Sequence, residues 1–434
     1  LKERGLSRKG IGEAQVKGDE ETRSLASIEE GVRTQLGRLG FGTGEEYVAG
    51  VRRIVEPLQA RIDGAREELG ELVARAGAAP DTAALRLVED RVVSFAADLF
   101  RGLHSAPMVH EFCTTVRDAV AERALELARQ ELYFSGTFCD VPVALLAVGS
   151  DGRREELLFT DQDYLFLHGA GGGDTSRSQE DITDYFGMLG SVFVTMMEEI
   201  GIGRCRGGIM PVNDDWRGSM QQWRERLAAM CRFERSNWEK NILNLIALMD
   251  TRFVCGDRHL GLGFGRFVRS VARDNPDAMR HMSRVVSSMR LSRGFLRRFV
   301  VEAEGDHKGE FDIKVLAWMP LVMCIRLLAV NVGIEETSTL GRIDRLRVWG
   351  HLSDRGASDL VNAYHVITGH RITQQIRRYK RIIDDDCYIN PHELPGGERE
   401  ALRSAIGAID ELQNTLRTGF SVTASIDRII SPGR

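Results

Sequence analysis

Residues 143–167 read VALLAVGSDGRREELLFTDQDYLFL, and this stretch decides the fold. An apolar run, Val143 to Val148, stops at Gly149-Ser150, and a charged turn, Asp151 to Glu156, follows. Thr160-Asp161-Gln162-Asp163 then opens a second apolar run, Tyr164 to Leu167. Two short apolar runs bounded by Gly and polar residues predict buried strands. Residues two apart on a strand share a face, so Asp161 and Asp163 present their carboxylates together. Like charges held that close repel unless a cation sits between them, and such oxygen pairs suit Mg²⁺ bound together with substrate phosphates. Gly149-Ser150 lets backbone N–H groups approach a phosphate chain, and Arg153 and Arg154 carry guanidinium forks matched to phosphate oxygens. The combination points to phosphoryl or nucleotidyl transfer.

The order of the parts separates this stretch from other phosphate loops. A Walker loop needs Gly-x-x-x-x-Gly-Lys-Ser/Thr, and neither run is followed by one. Here Gly-Ser is followed by ten residues and then Asp-x-Asp. Taken alone, Gly-Ser reads as a turn and Asp-x-Asp as two solvated residues; the two arginines and the order give the pair its meaning. The string GSDGRREELLFTDQD resembles the signature of the DNA polymerase β-like nucleotidyltransferases. Within them it is similar to the signal-transduction nucleotidyltransferases related to the protein-PII uridylyltransferases, with Arg153, Glu155 and Thr160 at matching places.

Composition bounds the rest. The chain has 434 residues, enough for two to four domains, and 43% apolar with 28% charged residues is a globular balance. A net charge of −5 argues against a dedicated nucleic-acid binder. Seven cysteines without a Cys-x-x-Cys indicate neither a disulfide framework nor a zinc knuckle, and fit a reducing cytoplasm. The most apolar window, Val315 to Val330, contains Pro320 and Arg326, so it is expected to be a buried helix and not a membrane span.

Residues 1–42 are rich in Gly, Lys, Arg and Glu and are expected to form a flexible arm. Helical periodicity follows over 47–76, 85–103 and 108–132, giving an N-terminal helical region at 43–132 that braces what comes next. The nucleotidyltransferase domain is expected at 133–262, with a Gly-rich turn at 169–173 and helices over 178–200 and 223–250. A helical C-terminal domain is expected at 263–420, with a last helix over 398–416 and a tail at 421–434. The fold class is α+β, a small mixed sheet between two helical regions.

Beyond the central stretch, GGIMPVNDDWR (207–217) and MDTRFVCGDRHL (249–260) also resemble segments of these relatives. In the wider superfamily the strand after Asp-x-Asp carries a third carboxylate. Gly208, Ile209 and Met210 stand there instead, leaving Asp214 or Asp215 as substitutes, or as plain solvated loop residues. Asp250 with Arg252 reads as a structural ion pair. FDIKVLAWMPLVMCIRLLAVNVGIEETSTLGRIDRL (311–346) resembles the helical substrate-binding domain behind this transferase type. Two readings stay open for Lys314 and Arg326: cations closing over a triphosphate, or partners of Asp312 and Asp344. With Pro320 kinking the helix midway, Lys314 is assigned to the nucleotide and Arg326 to the scaffold.

The resemblance implies transfer of a nucleoside monophosphate from a nucleoside triphosphate to an acceptor hydroxyl, on a protein such as a PII-like regulator. It implies Mg²⁺ on Asp161 and Asp163, the catalytic pair. Gly149, Ser150, Arg153, Arg154, Thr160 and Lys314 would hold the nucleotide. The bifunctional relatives also carry an HD hydrolase; this chain has no His-Asp dipeptide, so the reverse activity is expected to be absent. The alternative is a nucleotide sensor without turnover.

Overall fold

A computed structural model describes residues 45–170, 178–232, 238–289 and 299–422. The arm expected at 1–42 and most of the 421–434 tail lie outside the described residues, as does part of the Gly-rich turn at 169–173. The chain divides into two units, 1–64 and 65–434. In the first, the described residues are the opening turns of helix α1 (Glu45–Gly77).

In the second unit, Asp81 caps α2 (Thr82–Leu103) by accepting from the Ala84 N–H, and Ser105 caps α3 (Ala106–Phe134). The two apolar runs become β1 (Val143–Ala147) and β2 (Tyr164–His168), antiparallel with Ala147 opposite Tyr164. Between them lies a single helical turn, α4 (Gly149–Gly152). A capping box at Ser178 and Asp181 starts α5 (Gln179–Ile200), which ends at Gly201 in the left-handed region, φ 110°.

β3 (Arg217–Ser219) runs parallel to β2, and β4 (Arg252–Gly256) antiparallel to β1, giving the sheet order β3-β2-β1-β4. β4 was not foreseen. The helix expected over 223–250 is replaced by α6 (Met220–Met230) and α7 (Trp238–Leu248), with 233–237 outside the described residues. α8 (Arg258–Gly261), α9 (Phe264–Arg273) and α10 (Pro276–Ser287) lead on toward the C-terminal helices.

There Lys314–Trp318 forms a π-helical turn that runs into α11 (Met319–Asn331). Pro320 therefore sits in the first turn of α11, directly after the π-helical turn, and not in the middle of a regular α-helix. α12 (Thr339–Val348), α13 (Asp354–Tyr379) and α14 (Gly396–Val422) complete the bundle, with a two-stranded sheet of β5 (Phe311–Asp312) and β6 (Tyr388–Ile389).

The central strands β1 and β2 are buried on both faces, which is why they read as continuous apolar runs. Val143, Leu145, Ala147, Tyr164 and Phe166 pack with α2, α3 and α5. Ala144, Leu146, Leu165 and Leu167 face the other way and share one core with α6, α7 and α9 through α14. The helices before and after the sheet thus clamp it from opposite sides. The apolar segment Lys314–Asn331 has the length and composition to cross a membrane, but α11 is buried in this second core. All seven cysteines are free thiols.

Candidate active site

The site forms where β1 ends and β2 begins. Val148 donates its N–H to the Asp163 carbonyl at 2.9 Å, which brings the Gly149 turn against the Asp163 side chain. A Cβ at Gly149 would stand 2.3 Å from Asp163 Oδ2, and φ there is +62°, so position 149 demands glycine on both counts. At Gly152 a Cβ would stand 2.2 Å from the Asp250 carbonyl oxygen, so the same turn is pressed onto the start of β4.

Alternation does the rest. Gln162 points inward, fully buried, and donates to the Val194 and Ile202 carbonyls at 3.2 and 2.9 Å. Its neighbours Asp161 and Asp163 are thereby turned to the opposite side. Backbone bonds from Gln162 N–H to Gly203 O (2.9 Å) and from Tyr164 N–H to Ile209 O (3.2 Å) pin the segment after α5 along the pair. The loop between those two bonds carries Cys205 to the carboxylates. Ligand atoms of Asp161, Asp163 and Cys205 all lie within 4.8 Å of one another.

Asp163 Oδ1 is buried without a hydrogen-bond partner, an expensive state for a carboxylate. Desolvation, reinforced by the charge of Asp161, pushes Asp163 up to about 7. Burial likewise pushes the Cys205 thiol up to about 12, with Asp163, to which it is hydrogen-bonded, adding to the shift. An orphaned carboxylate oxygen, a second carboxylate beside it, and a turn that leaves no room for a side chain fit a divalent cation.

The remaining candidates separate. Ser150 and Thr160 are half-buried close to the pair in sequence, Thr160 Oγ1 at 3.4 Å from the Asp161 carbonyl. Arg153 does not face the pair's outer side. It is buried, and donates from Nη1 to Gly149 O (2.8 Å) and Asp250 Oδ2 (2.7 Å) and from Nε to Glu155 Oε2 (2.7 Å). It props the turn from beneath, so the expected phosphate contact is corrected to a positioning role.

Arg154 is exposed with φ 56° and lines a cleft of about 430 Å³ with Asp118, Arg252, Arg258 and Arg269. Lys314 is exposed beside Cys387 and makes no ion pair among the described residues. Asp214 is bonded to Arg217, and Asp215 to Lys240 at 2.9 Å, so neither supplies a third carboxylate to the pair. β3 offers Arg217, Gly218 and Ser219 beside β2.

Asp250 is not the partner of Arg252. Arg252 makes a bidentate pair with Asp118 (2.8 and 2.8 Å) and reaches Asp151 Oδ1 at 2.6 Å. Asp250 is fully buried and receives three arginines: Arg153, Arg342 Nη1 at 2.7 Å, and Arg326 through Nε at 2.9 Å and Nη2. Burial pushes its carboxyl up, but Arg326, Arg342 and Arg153 outweigh that and hold it far below the usual range. Arg326 is thus structural, as expected, though its partner is Asp250 and not Asp344. Glu155 extends the cluster by accepting from the Thr339 N–H at 2.6 Å. From α13, Gln375 brackets the Phe159 backbone with bonds of 3.1 and 3.2 Å, and Arg378 lies over the Phe159 ring at 5.0 Å.

A Gly-Ser turn facing paired carboxylates at the mouth of a small mixed sheet, clamped by a helical bundle behind it, is the architecture of a nucleotidyltransferase with a C-terminal substrate-binding domain. The comparison with known families agrees. Residues 90–237 match the family described as putative nucleotidyltransferase DUF294, and residues 276–420 match its companion, the putative nucleotidyltransferase substrate binding domain DUF294_C. The chain belongs to this nucleotidyltransferase family. No curated protein matches it.

Proposed function

We propose that this protein moves a nucleoside monophosphate from a nucleoside triphosphate to an acceptor hydroxyl, with Mg²⁺ as the working cation and a protein such as a PII-like regulator as acceptor. One observation carries the reading: the buried, unpartnered Asp163 Oδ1 beside Asp161, against a turn whose closeness excludes any side chain at 149.

Asp161 and Asp163 would hold the cation, which when bound offsets charge on the phosphates and eases proton loss from the acceptor. The first N–H groups of α4 have no partner within their own turn and are free to meet phosphate oxygens. Ser150 and Thr160 offer hydroxyls, and the exposed Arg154 and Lys314 offer cations to the outer phosphates. Arg153 keeps the turn in place through Gly149 O. The acceptor oxygen bonds to the α-phosphorus, the α–β bridging bond breaks, pyrophosphate leaves, and the hydroxyl proton passes to solvent. The free thiols favour a cytoplasmic setting.

A second reading, nucleotide sensing without turnover, is favoured by β3, which sets no carboxylate beside the pair. α-labelled nucleoside triphosphates, Mg²⁺, purified protein and a cell lysate separate the two. Label on a macromolecule, absent with Asp161→Asn/Asp163→Asn, supports transfer. Saturable binding with no label transferred supports the sensor and overturns the enzyme.

A further inference from the structure

The third member of the cation group is a sulfur. We infer that Cys205 is a protein ligand of the cation held by Asp161 and Asp163, and that it opens this site to thiophilic divalent ions such as Co²⁺ and Cd²⁺ beside Mg²⁺. This rests on the cation reading above and extends it to the choice of ion.

Two independent observations meet here. Cys205 Sγ lies within 4.8 Å of a carboxylate oxygen from each aspartate, so the three atoms can surround one ion. The Asp163 carboxylate in this group also carries an unspent acceptor, Oδ1, buried and without a partner. The backbone makes the arrangement deliberate: bonds at Gly203 and Ile209 on either side of the loop fix Cys205 over the pair. Among the described residues no other carboxylate joins this group, and Asp214 and Asp215 are engaged by Arg217 and Lys240.

A hard ion such as Mg²⁺ prefers oxygen, whereas thiolate favours softer ions. On coordination the Cys205 Sγ–H proton passes to buffer as the metal–sulfur bond forms, with no change of oxidation state.

The test uses the full chain. Because Asp385, Asp386 and Cys387 form a second acidic thiol group, every protein carries Cys387→Ser. Co²⁺ titration should produce a sulfur-to-cobalt charge-transfer band in the near ultraviolet that is lost with Cys205→Ser and with Asp161→Asn/Asp163→Asn. Calorimetric titration should show Cd²⁺ affinity falling at least about ten-fold with Cys205→Ser, since even changes outside the ligand set cost about 10–100-fold. Mg²⁺ affinity should move far less. Cys205→Asp, which restores a third carboxylate, should raise Mg²⁺ affinity and serves as the check that position 205 tolerates change.

A missing band, or equal Cd²⁺ affinity with and without the thiol, overturns the role of Cys205. If Mg²⁺ still binds there and needs both aspartates, the cation reading survives that failure. If no divalent ion binds the unmutated pair, both fall.

Discussion

Asp163→Asn should make the cation-free protein less sensitive to rising pH. In the folded chain Asp163 is raised from 3.8 to about 7, chiefly by desolvation and next by Asp161. A carboxyl raised on folding keeps its proton in the native state while the unfolded chain has lost it. Stability therefore falls as pH rises from about 4 to about 7 and levels off above that. At 1.36 kcal/mol per unit, the two units between pH 5 and the native value amount to about 3 kcal/mol. Asparagine has the same shape and no such penalty.

For the roughly 370 residues of the 65–434 unit, unfolding entropy of about 2.1 cal/mol/K per residue makes this about 3–4 °C in Tm. Calorimetric melts of parent and variant at pH 5 and pH 8, in chelator, give the difference of differences, so groups titrating in both proteins cancel. The parent should lose about 3–4 °C more than the variant. A divalent cation at 100-fold its Kd should then restore about 2.7 kcal/mol to the parent at pH 8 and nothing to the variant. Parallel melts of the two proteins across that range would refute the buried, repelled carboxylate on which the site is built.

Gly149→Ala should abolish measurable cation binding by calorimetric titration, because its Cβ would collide with Asp163 Oδ2 and the left-handed φ adds about 1–2 kcal/mol of strain. Asp250→Asn leaves three buried guanidinium groups short of their shared anion and should cost about 3–5 kcal/mol, seen as a larger drop in Tm than any single arginine change in the cluster gives. Lys314→Ala should weaken triphosphate binding by about 1–3 kcal/mol while leaving Tm unchanged, since the ammonium is exposed and makes no ion pair among the described residues. Normal nucleotide affinity with early melting in that variant would make the π-helical turn a scaffold only.

What the sequence disclosed was whatever a local pattern encodes. The continuous apolar runs of β1 and β2, the Gly149 turn, and the alternation that turns Asp161 and Asp163 away from Gln162 are all set within 25 consecutive residues. The helices over 85–103 and 178–200 were equally legible from their periodicity, and Asp81 and Ser178 cap them in the fold. β4 escaped because five residues, RFVCG, show no alternation that separates them from the end of a helix. Cys205 escaped for another reason: it stands alone between Arg204 and Arg206 with no metal-ligand spacing to mark it, and Arg204 is spent on Glu198 at 2.9 Å. The role of Arg153 lay further out of reach. Its partner stands 97 positions along the chain, and nothing near either residue signals the pairing.

That pairing explains why the turn and the C-terminal helices belong to one device. Arg153 Nη1 holds Gly149 O and Asp250 Oδ2 at once, and Asp250 in turn holds Arg326 on α11 and Arg342 on α12. Any shift of those helices moves Asp250, and Asp250 reaches the Gly149 carbonyl through a single guanidinium. Gly149 is in turn the residue whose closeness to Asp163 shapes the cation site. A buried anion shared among three cations is costly to assemble and costly to break, so it tolerates few alternative arrangements. The packing of the helical bundle and the shape of the carboxylate pair are therefore linked through two hydrogen bonds from one buried arginine.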